Sequence, residues 1–199
     1  MAWPTFTDRS TGYNVTSADW NTFNTAHNHV SATRWASLPI ADAIPPLSVR
    51  NSAALEQVES NAGTPKASWH QARFDAGSIE ALQWNIDCPN DYGGTAKIVI
   101  QGYMATAVGG TIVMNAYFSA QSAGDATGTT LTYGTVTAGT FAVPGTACMI
   151  FAGTLTIGDT NGLAVGDKLN IEIERIGTAT ADTAGGDYVL RKAILTYGM

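Results

Sequence analysis

Residues 168–175 read Lys-Leu-Asn-Ile-Glu-Ile-Glu-Arg, so every second side chain from Leu169 to Ile173 is aliphatic. Successive side chains of a β-strand point to opposite faces, and this alternation therefore predicts a strand with one buried and one polar face. The polar set includes Glu172 and Glu174, which we expect to face solvent. Strands of this kind are typical of antiparallel sheets that are wet on one side.

The same period of two recurs along residues 66–199. Turn signals rich in Gly, Asn and Asp separate the runs, and the pattern contains no helical insert. Such strands close as a jelly-roll sandwich or as an up-and-down barrel. We favour an all-β fold, an antiparallel jelly-roll β-sandwich, with strands near 68–74, 81–88, 96–106, 111–118, 129–137, 149–157, 169–173 and 188–197.

Residues 1–65 differ from the rest and predict an N-terminal arm with one or two short helices. Helical spacing of aromatic and apolar residues predicts a helix near 17–30 and a weaker one near 49–60, with an extended, proline-containing stretch between them. This segment has aromatic residues but too few apolar ones for a core of its own. We expect it to anchor the protein in neighbouring subunits through Trp3, Phe6, Trp20, Phe23 and Trp35.

The composition excludes several classes of protein. Charged residues make up 13% of the chain, where about a quarter is usual, and the net charge of -6 argues against binding to a nucleic-acid backbone. No apolar run is long enough for a membrane helix, and no export signal precedes the body, which fits a protein made in the cytoplasm. We expect Cys88 and Cys148 to be buried free thiols, although their spacing leaves a single disulfide open.

The titratable residues do not predict an enzyme, a metal centre or a cofactor site. His27 and His29 lie two apart on the predicted helix and point in different directions, and His70 lacks a recognisable nucleophile partner. Glu172 and Glu174 have the spacing of a carboxylate pair but fit better as the polar side of a strand, with Lys168 and Arg175 to balance them. The acidic loop 182–187 is rich in the oxygen ligands that calcium prefers, but it lacks the spacing of an EF-hand.

Two tyrosines are candidates for surface recognition. Tyr103 and Tyr117 fall on the polar registers of their strands, which predicts that both lie on an outer face. An amphipathic ring suits a half-wet interface, so they are candidates for glycan or subunit contacts. Partial burial under the N-terminal arm explains the pattern equally well.

Two segments resemble virion structural proteins of tailed bacteriophages. Residues 3–7 read Trp-Pro-Thr-Phe-Thr, and the motif Thr16-x-x-Asp19-Trp20-Asn21 follows. Near the other end, residues 163–190 resemble the final strands of jelly-roll domains in phage structural proteins. The resemblance covers about thirty residues at the start and about forty at the end, with the middle supported by composition alone.

This resemblance implies a non-enzymatic component of a capsid or tail, commonly a homotrimer, with an arm over residues 1–65 and a β-domain over 66–199. Because the chain is short and lacks a fibre shaft, we favour a capsid decoration or cement protein that binds the major capsid protein or other virion proteins. The alternative is a tail-associated receptor- or carbohydrate-binding module that contacts a host glycan. Both interpretations place the protein in the virion, and neither requires a cofactor, nucleic acid or membrane.

Overall fold

The computed structural model describes residues 33–46, 51–106, 109–125 and 132–198. Within them lie eleven strands and one short 3-10 helix, Ile40–Asp42, and none of these residues forms a helix long and apolar enough to span a bilayer. One compact unit begins at Trp35. The strands are β1 Thr33–Leu38, β2 Asn51–Ser52, β3 Ala54–Glu59, β4 Ser68–Phe74, β5 Ile79–Asp87, β6 Ala96–Met104, β7 Thr111–Gln121, β8 Thr137–Ala142, β9 Phe151–Ile157, β10 Lys168–Ile176 and β11 Tyr188–Gly198.

The strands form two sheets. A six-stranded sheet has the order β3-β4-β11-β6-β9, with β1 also paired to β11, and a five-stranded sheet has the order β2-β5-β10-β7-β8. The ladders among β3 to β11 are antiparallel, whereas β2 pairs with β5 in parallel. Strands β4 to β11 thus lie in two four-stranded rows, β4-β11-β6-β9 and β5-β10-β7-β8, whose connections cross repeatedly between the sheets. This is jelly-roll connectivity.

The alternation in β10 places this strand at the centre of the fold. Ile171 pairs with Trp84 of β5 on one side and with Phe118 of β7 on the other, and all three side chains are buried. Inner-face side chains of both sheets belong to one continuous hydrophobic cluster, so the sheets pack face to face. Burying each large apolar side chain contributes about 1.5–3 kcal/mol, and this core is the main source of stability.

The structure corrects the prediction of a helix near 49–60. Residues 54–59 form strand β3, and Glu56 pairs with Gln71 of β4. A short run with two apolar residues fits a helix or an edge strand, and the ladder with β4 decides between them. The helix predicted near 17–30 lies outside the described residues, and an arm domain over residues 1–65 stays a prediction.

Strand β8 begins later than the predicted run 129–137. It spans Thr137–Ala142, and residues 132–136 form a loop held by hydrogen bonds: Gly134 N donates to Phe118 O at 2.8 Å, and Thr135 N donates to an Asp159 carboxylate oxygen at 2.8 Å. These contacts give the backbone N–H groups of the loop hydrogen-bond partners outside any strand ladder. The strand therefore starts only where pairing with β7 begins.

Arg175 does not balance the two glutamates of β10, because it points to the opposite, inner face. Its Nε and Nη2 donate to the two carboxylate oxygens of Asp182 at 3.0 and 2.8 Å, and both side chains are at most 1% exposed. The remaining donors reach the carbonyl oxygens of Phe74, Ala184 and Gly186 at 3.3, 2.8 and 2.7 Å. This ion pair holds the loop before β11 against the sandwich.

Both cysteines are free, as expected, but Cys148 is exposed rather than buried. It lies in the connection before β9 with a φ of 60°, where its amide donates to Met104 O at 3.0 Å. Cys88 is buried at the end of β5, and burial, together with the nearby Asp167 carboxylate, raises the pKa of its thiol.

Candidate functional site

An aromatic and polar surface lies on the outer face of the six-stranded sheet. In β1, Ala36 and Leu38 pack toward the core, so by alternation Trp35 projects outward, where it is 69% exposed. In β4, Ala72 and Phe74 are buried in the core, and the outward register carries Trp69 and Gln71. We call the surface formed by Trp35, Trp69, Gln71, Tyr103 and Arg191 the aromatic face.

Gln71 organises the centre of the aromatic face. Its side-chain oxygen accepts hydrogen bonds from Trp69 Nε1 at 3.1 Å and from the Tyr103 hydroxyl at 3.3 Å. Its amide nitrogen donates to Glu56 Oε2 at 2.8 Å. Strand β11 separates β4 from β6, and Val189 pairs with both Arg73 and Tyr103, which brings the tyrosine over the gap. One buried amide therefore holds both aromatic side chains in place.

Charged residues on β3 and β4 border this centre. Arg73 Nε donates to Glu56 Oε1 at 3.0 Å, and an Arg73 guanidinium nitrogen lies 3.7 Å from an Asp187 carboxylate oxygen. Hydrogen bonds from Gln71 and then from Arg73 hold the pKa of Glu56 below its usual range, and Glu56 in turn raises the pKa of Arg73. Both groups are therefore ionised at neutral pH, and their charges largely neutralise each other.

Arg191 of β11 covers part of the indole of Trp69. Its guanidinium carbon lies 4.2 Å from the ring centroid, which is within the range of a cation–π contact. The planar guanidinium keeps its N–H donors at its edge while it contacts the ring. The aromatic face thus presents a hydrogen-bonding edge beside Trp69.

The arrangement suits a ligand that has both apolar and hydroxyl groups. Flat rings offer surface on which C–H groups pack, and the side chains around them offer fixed donors and acceptors. Because the rings of Trp69 and Tyr103 are already hydrogen-bonded, little side-chain entropy is lost when a ligand covers them. The groups that it offers are flat rings and hydrogen-bonding side chains, which are the means of non-covalent recognition.

The two predicted tyrosines lie on opposite sheets. Tyr117 is on β7, and its hydroxyl donates to Glu174 Oε1 at 2.5 Å, while its ring centroid lies 5.8 Å from that of Tyr133. Both predicted positions are on outer faces, as the alternation indicates. Tyr103 belongs to the aromatic face, however, and Tyr117 does not.

The expectation that Glu172 and Glu174 face solvent is wrong. They are 3% and 1% exposed, although they project from the outer register of β10. Glu172 Oε2 accepts a hydrogen bond from Gln83 Nε2 at 2.6 Å, and Glu174 Oε1 accepts one from Asn115 Nδ2 at 2.9 Å. Amide donors on the two flanking strands therefore reach both buried carboxylates.

Other predicted positions bear on the site in different ways. Trp3, Phe6, Trp20 and Phe23 lie outside the described residues, and their role in assembly stays a prediction, as does that of Trp35. In the described ranges no cluster of three or more His, Cys, Asp or Glu has metal-binding geometry. The Asp182 carboxylate of the acidic loop 182–187 is already bonded to Arg175.

Sequence reasoning missed Trp69, Gln71 and Arg191 as site residues. The signal was present in the alternation Trp69-x-Gln71-x-Arg73, which places three recognition-type side chains on one face of β4. Their connection with Tyr103 and Trp35 carries no such signal, because it depends on strand neighbours that are far apart in the chain.

Comparisons with known proteins give remote likenesses. No protein-family model and no curated protein sequence matches the chain. Among solved structures, a xylan-binding module, CBM15, is 13% identical with a TM-score of 0.43, covering 83% of this chain and 97% of that one. The C-terminal CBM6 of LamC from Zobellia galactanivorans is 15% identical with a TM-score of 0.38, covering 82% of this chain and 99% of that one.

A phage protein is also among the matching structures. The enzymatically active domain of tailspike protein 4 from bacteriophage CBA120 is 8% identical with a TM-score of 0.33, covering 87% of this chain and 20% of that one. Because all these TM-scores lie below 0.5, the likenesses carry no inference about this chain.

Proposed function

We propose that this protein is a glycan-binding β-sandwich whose aromatic face receives the sugar chain. One observation carries the proposal: Trp35 projects into solvent, 69% exposed, from the same face that holds Trp69 and Tyr103. Indole is among the largest apolar side chains, and a protein that leaves one uncovered on a sheet face with two more rings presents a surface suited to contact. The proposal assigns binding and not catalysis to this surface.

The chemistry of the face matches a saccharide. Pyranose rings have C–H groups on their faces and hydroxyl groups at their edges, so one ring face packs on an indole while the edge hydroxyls meet polar side chains. On this surface Gln101 of β6 and Arg191 supply donors next to the rings. Several rings on one sheet suit a chain of sugars better than a single one, since neighbouring contacts act together.

Assembly on a virion is the second candidate, and it uses the same exposed Trp35. A capsid decoration role, a homotrimer and a place in the virion remain predictions from the resemblance of the terminal segments. The two functions are compatible, because a virion protein can carry a glycan-binding face. We therefore propose a glycan-binding component of a virion as the combined interpretation.

The experiment is a glycan array with the full-length protein, followed by titration of the best ligand into three variants. Trp35→Ala and Trp69→Ala remove rings from the aromatic face, and we expect each to weaken binding about tenfold or more, as is usual for central aromatic contacts. Tyr133→Ala is the matched control, because it removes a 37% exposed ring that packs on Tyr117 of the other sheet. The affinity of Tyr133→Ala for the best ligand should stay within about twofold of the affinity of the unmodified protein.

Two outcomes would refute the proposal. One is that no glycan on the array is retained by the unmodified protein. The other is that Trp35→Ala and Trp69→Ala bind as tightly as Tyr133→Ala, which would remove the aromatic face from recognition.

A further inference from the structure

A β-bulge in β11 places two consecutive basic residues on the aromatic face. Leu190 pairs with Gly102 and Lys192 pairs with Gln101, so Arg191 is the extra residue in the ladder. Leu190 and Ala193 are both buried in the core, and a regular strand would leave one outward residue between two inward ones. The bulge leaves Arg191 and Lys192 in that interval, and bulges commonly re-aim side chains next to binding sites.

Glycine at position 102 allows the strands to approach at this point. A Cβ on Gly102 would lie 2.7 Å from the ring of Tyr188 and would collide with the Val189 carbonyl oxygen. No side chain larger than hydrogen fits there without displacement of β11. The irregularity that presents the basic pair is therefore built into the packing of β6 against β11.

Among the described residues, no carboxylate neutralises the charges of this pair. Arg73 has Glu56 at 3.0 Å and Asp187 at 3.7 Å, whereas within the described residues the side chains of Arg191 and Lys192 have no carboxylate within ion-pair distance. A cationic pair on a chain of net charge -6 is a local feature and not a general excess of basic residues. Trp69 holds the Arg191 guanidinium in place while leaving its edge donors available.

We propose that Arg191 and Lys192 form a subsite for an anionic group on the glycan, either a carboxylate or a sulfate ester. A guanidinium fork binds two oxygens of such a group with parallel hydrogen bonds, and the adjacent ammonium adds a second charge. The inference rests on the proposed function, since the rings supply the sugar contacts and the basic pair selects acidic sugars. Its ligand class is an acidic polysaccharide.

The experiment titrates the full-length protein with polygalacturonate, its carboxyl-reduced form, a sulfated galactan, its desulfated form and a single-stranded oligonucleotide. We expect at least one acidic polymer to bind about tenfold more tightly than its neutral counterpart, since one bidentate charged contact is worth that much or more. Arg191→Gln should reduce the affinity for the acidic polymer to the affinity for its neutral counterpart. Arg191→Lys keeps the charge without the fork and should recover only part of the difference.

Lys97→Gln is the matched control, because Lys97 is an exposed cation on β6 that pairs with Thr196 away from the bulge. It should change affinity by about twofold or less, as expected for a distant screened charge. Circular dichroism and thermal unfolding of each variant verify that the fold is intact.

The outcomes separate this inference from the proposed function. Equal affinity for acidic and neutral polymers, with no effect of Arg191→Gln, overturns the anionic subsite and leaves glycan binding standing. Equal binding of a single-stranded oligonucleotide and the acidic glycan also overturns it, since that result shows attraction of charge alone. Failure of every acidic polymer to bind the unmodified protein overturns the anionic subsite, and it overturns the proposed function as well only if no glycan on the array is retained.

Discussion

Asp182→Ala should lower the free energy of unfolding by about 4 kcal/mol, because it breaks a buried ion pair and leaves Arg175 charged inside the protein. Breaking such a pair costs about 3–5 kcal/mol, and a backbone donor left without an acceptor adds about 1–3 kcal/mol. That donor is Val113 N, which lies 3.0 Å from an Asp182 carboxylate oxygen. The three carbonyl oxygens that also accept from Arg175 keep the total near the lower end.

The assay is urea unfolding followed by tryptophan fluorescence. Trp84 is buried in the core, with its Nε1 donating to Pro39 O at 2.9 Å, so its emission reports loss of packing. A loss of about 4 kcal/mol corresponds to a fall of about 8–16 °C in the melting temperature for a chain of this size. The variant should remain folded at 25 °C, since domains usually have about 5–15 kcal/mol of stability.

Asp87→Ala is the matched control, because its partner Lys168 and Asp87 itself are 65% and 78% exposed. An exposed pair contributes about 0–1 kcal/mol, so this variant should unfold near the unmodified protein. Equal stability of Asp182→Ala and Asp87→Ala would show that the buried ion pair does not stabilise the fold. A double variant that adds Arg175→Met should lose about 2 kcal/mol less than the sum of the two single losses, and strict additivity would show that the residues do not act as a pair.

Three further measurements probe the packing and the site. Gly102→Ala should lower the free energy of unfolding in urea by about 1–3 kcal/mol, because its Cβ meets the Tyr188 ring. The Cβ of Gly158→Ala meets open space, so this control should stay within about 0.5 kcal/mol of the unmodified protein. Equal effects of the two substitutions would contradict the close approach of β6 and β11 at Gly102. Tyr188→Phe should leave stability unchanged or raise it by about 1 kcal/mol, since within the described residues its buried hydroxyl has no hydrogen-bond partner, and a loss above that size would show a missed partner. The unmodified protein should have a higher free energy of unfolding than Glu56→Gln, and this difference should be full above pH 4.5 and disappear as the pH falls through the lowered pKa of Glu56. A difference in unfolding free energy that persists at pH 2 would contradict the role of the Glu56 carboxylate.

The period-two pattern was sufficient to predict most strands and the class of fold. β4 spans Ser68–Phe74 as predicted, and the alternation of β10 correctly identified the inward residues from Leu169 to Ile173. These predictions succeed because alternation reflects which face of a strand is buried, and that information is local. The prediction failed near 49–60, where two apolar residues fit either period and only pairing with β4 decides.

Polarity alone does not determine whether a side chain is wet. Glu172 and Glu174 have the sequence signature of a solvated face, yet both are buried, since Gln83 and Asn115 on neighbouring strands bring hydrogen-bond donors to them. Those donors are more than fifty residues away in the chain. Arg175 likewise looks like a surface partner for these acids in the sequence, but its position on the inner register directs it to Asp182.

In the candidate site, too, some features follow from the local alternation of one strand and others depend on contacts between distant strands. The outward direction of Tyr103 was predictable from the sequence, because it follows from the period of one strand. That Tyr103, Trp69 and Trp35 share a sheet was not predictable, because it depends on β11, from the far end of the chain, pairing with β1, β4 and β6. The bulge that exposes Arg191 is likewise a property of two paired strands, since an extra residue exists only relative to its partner.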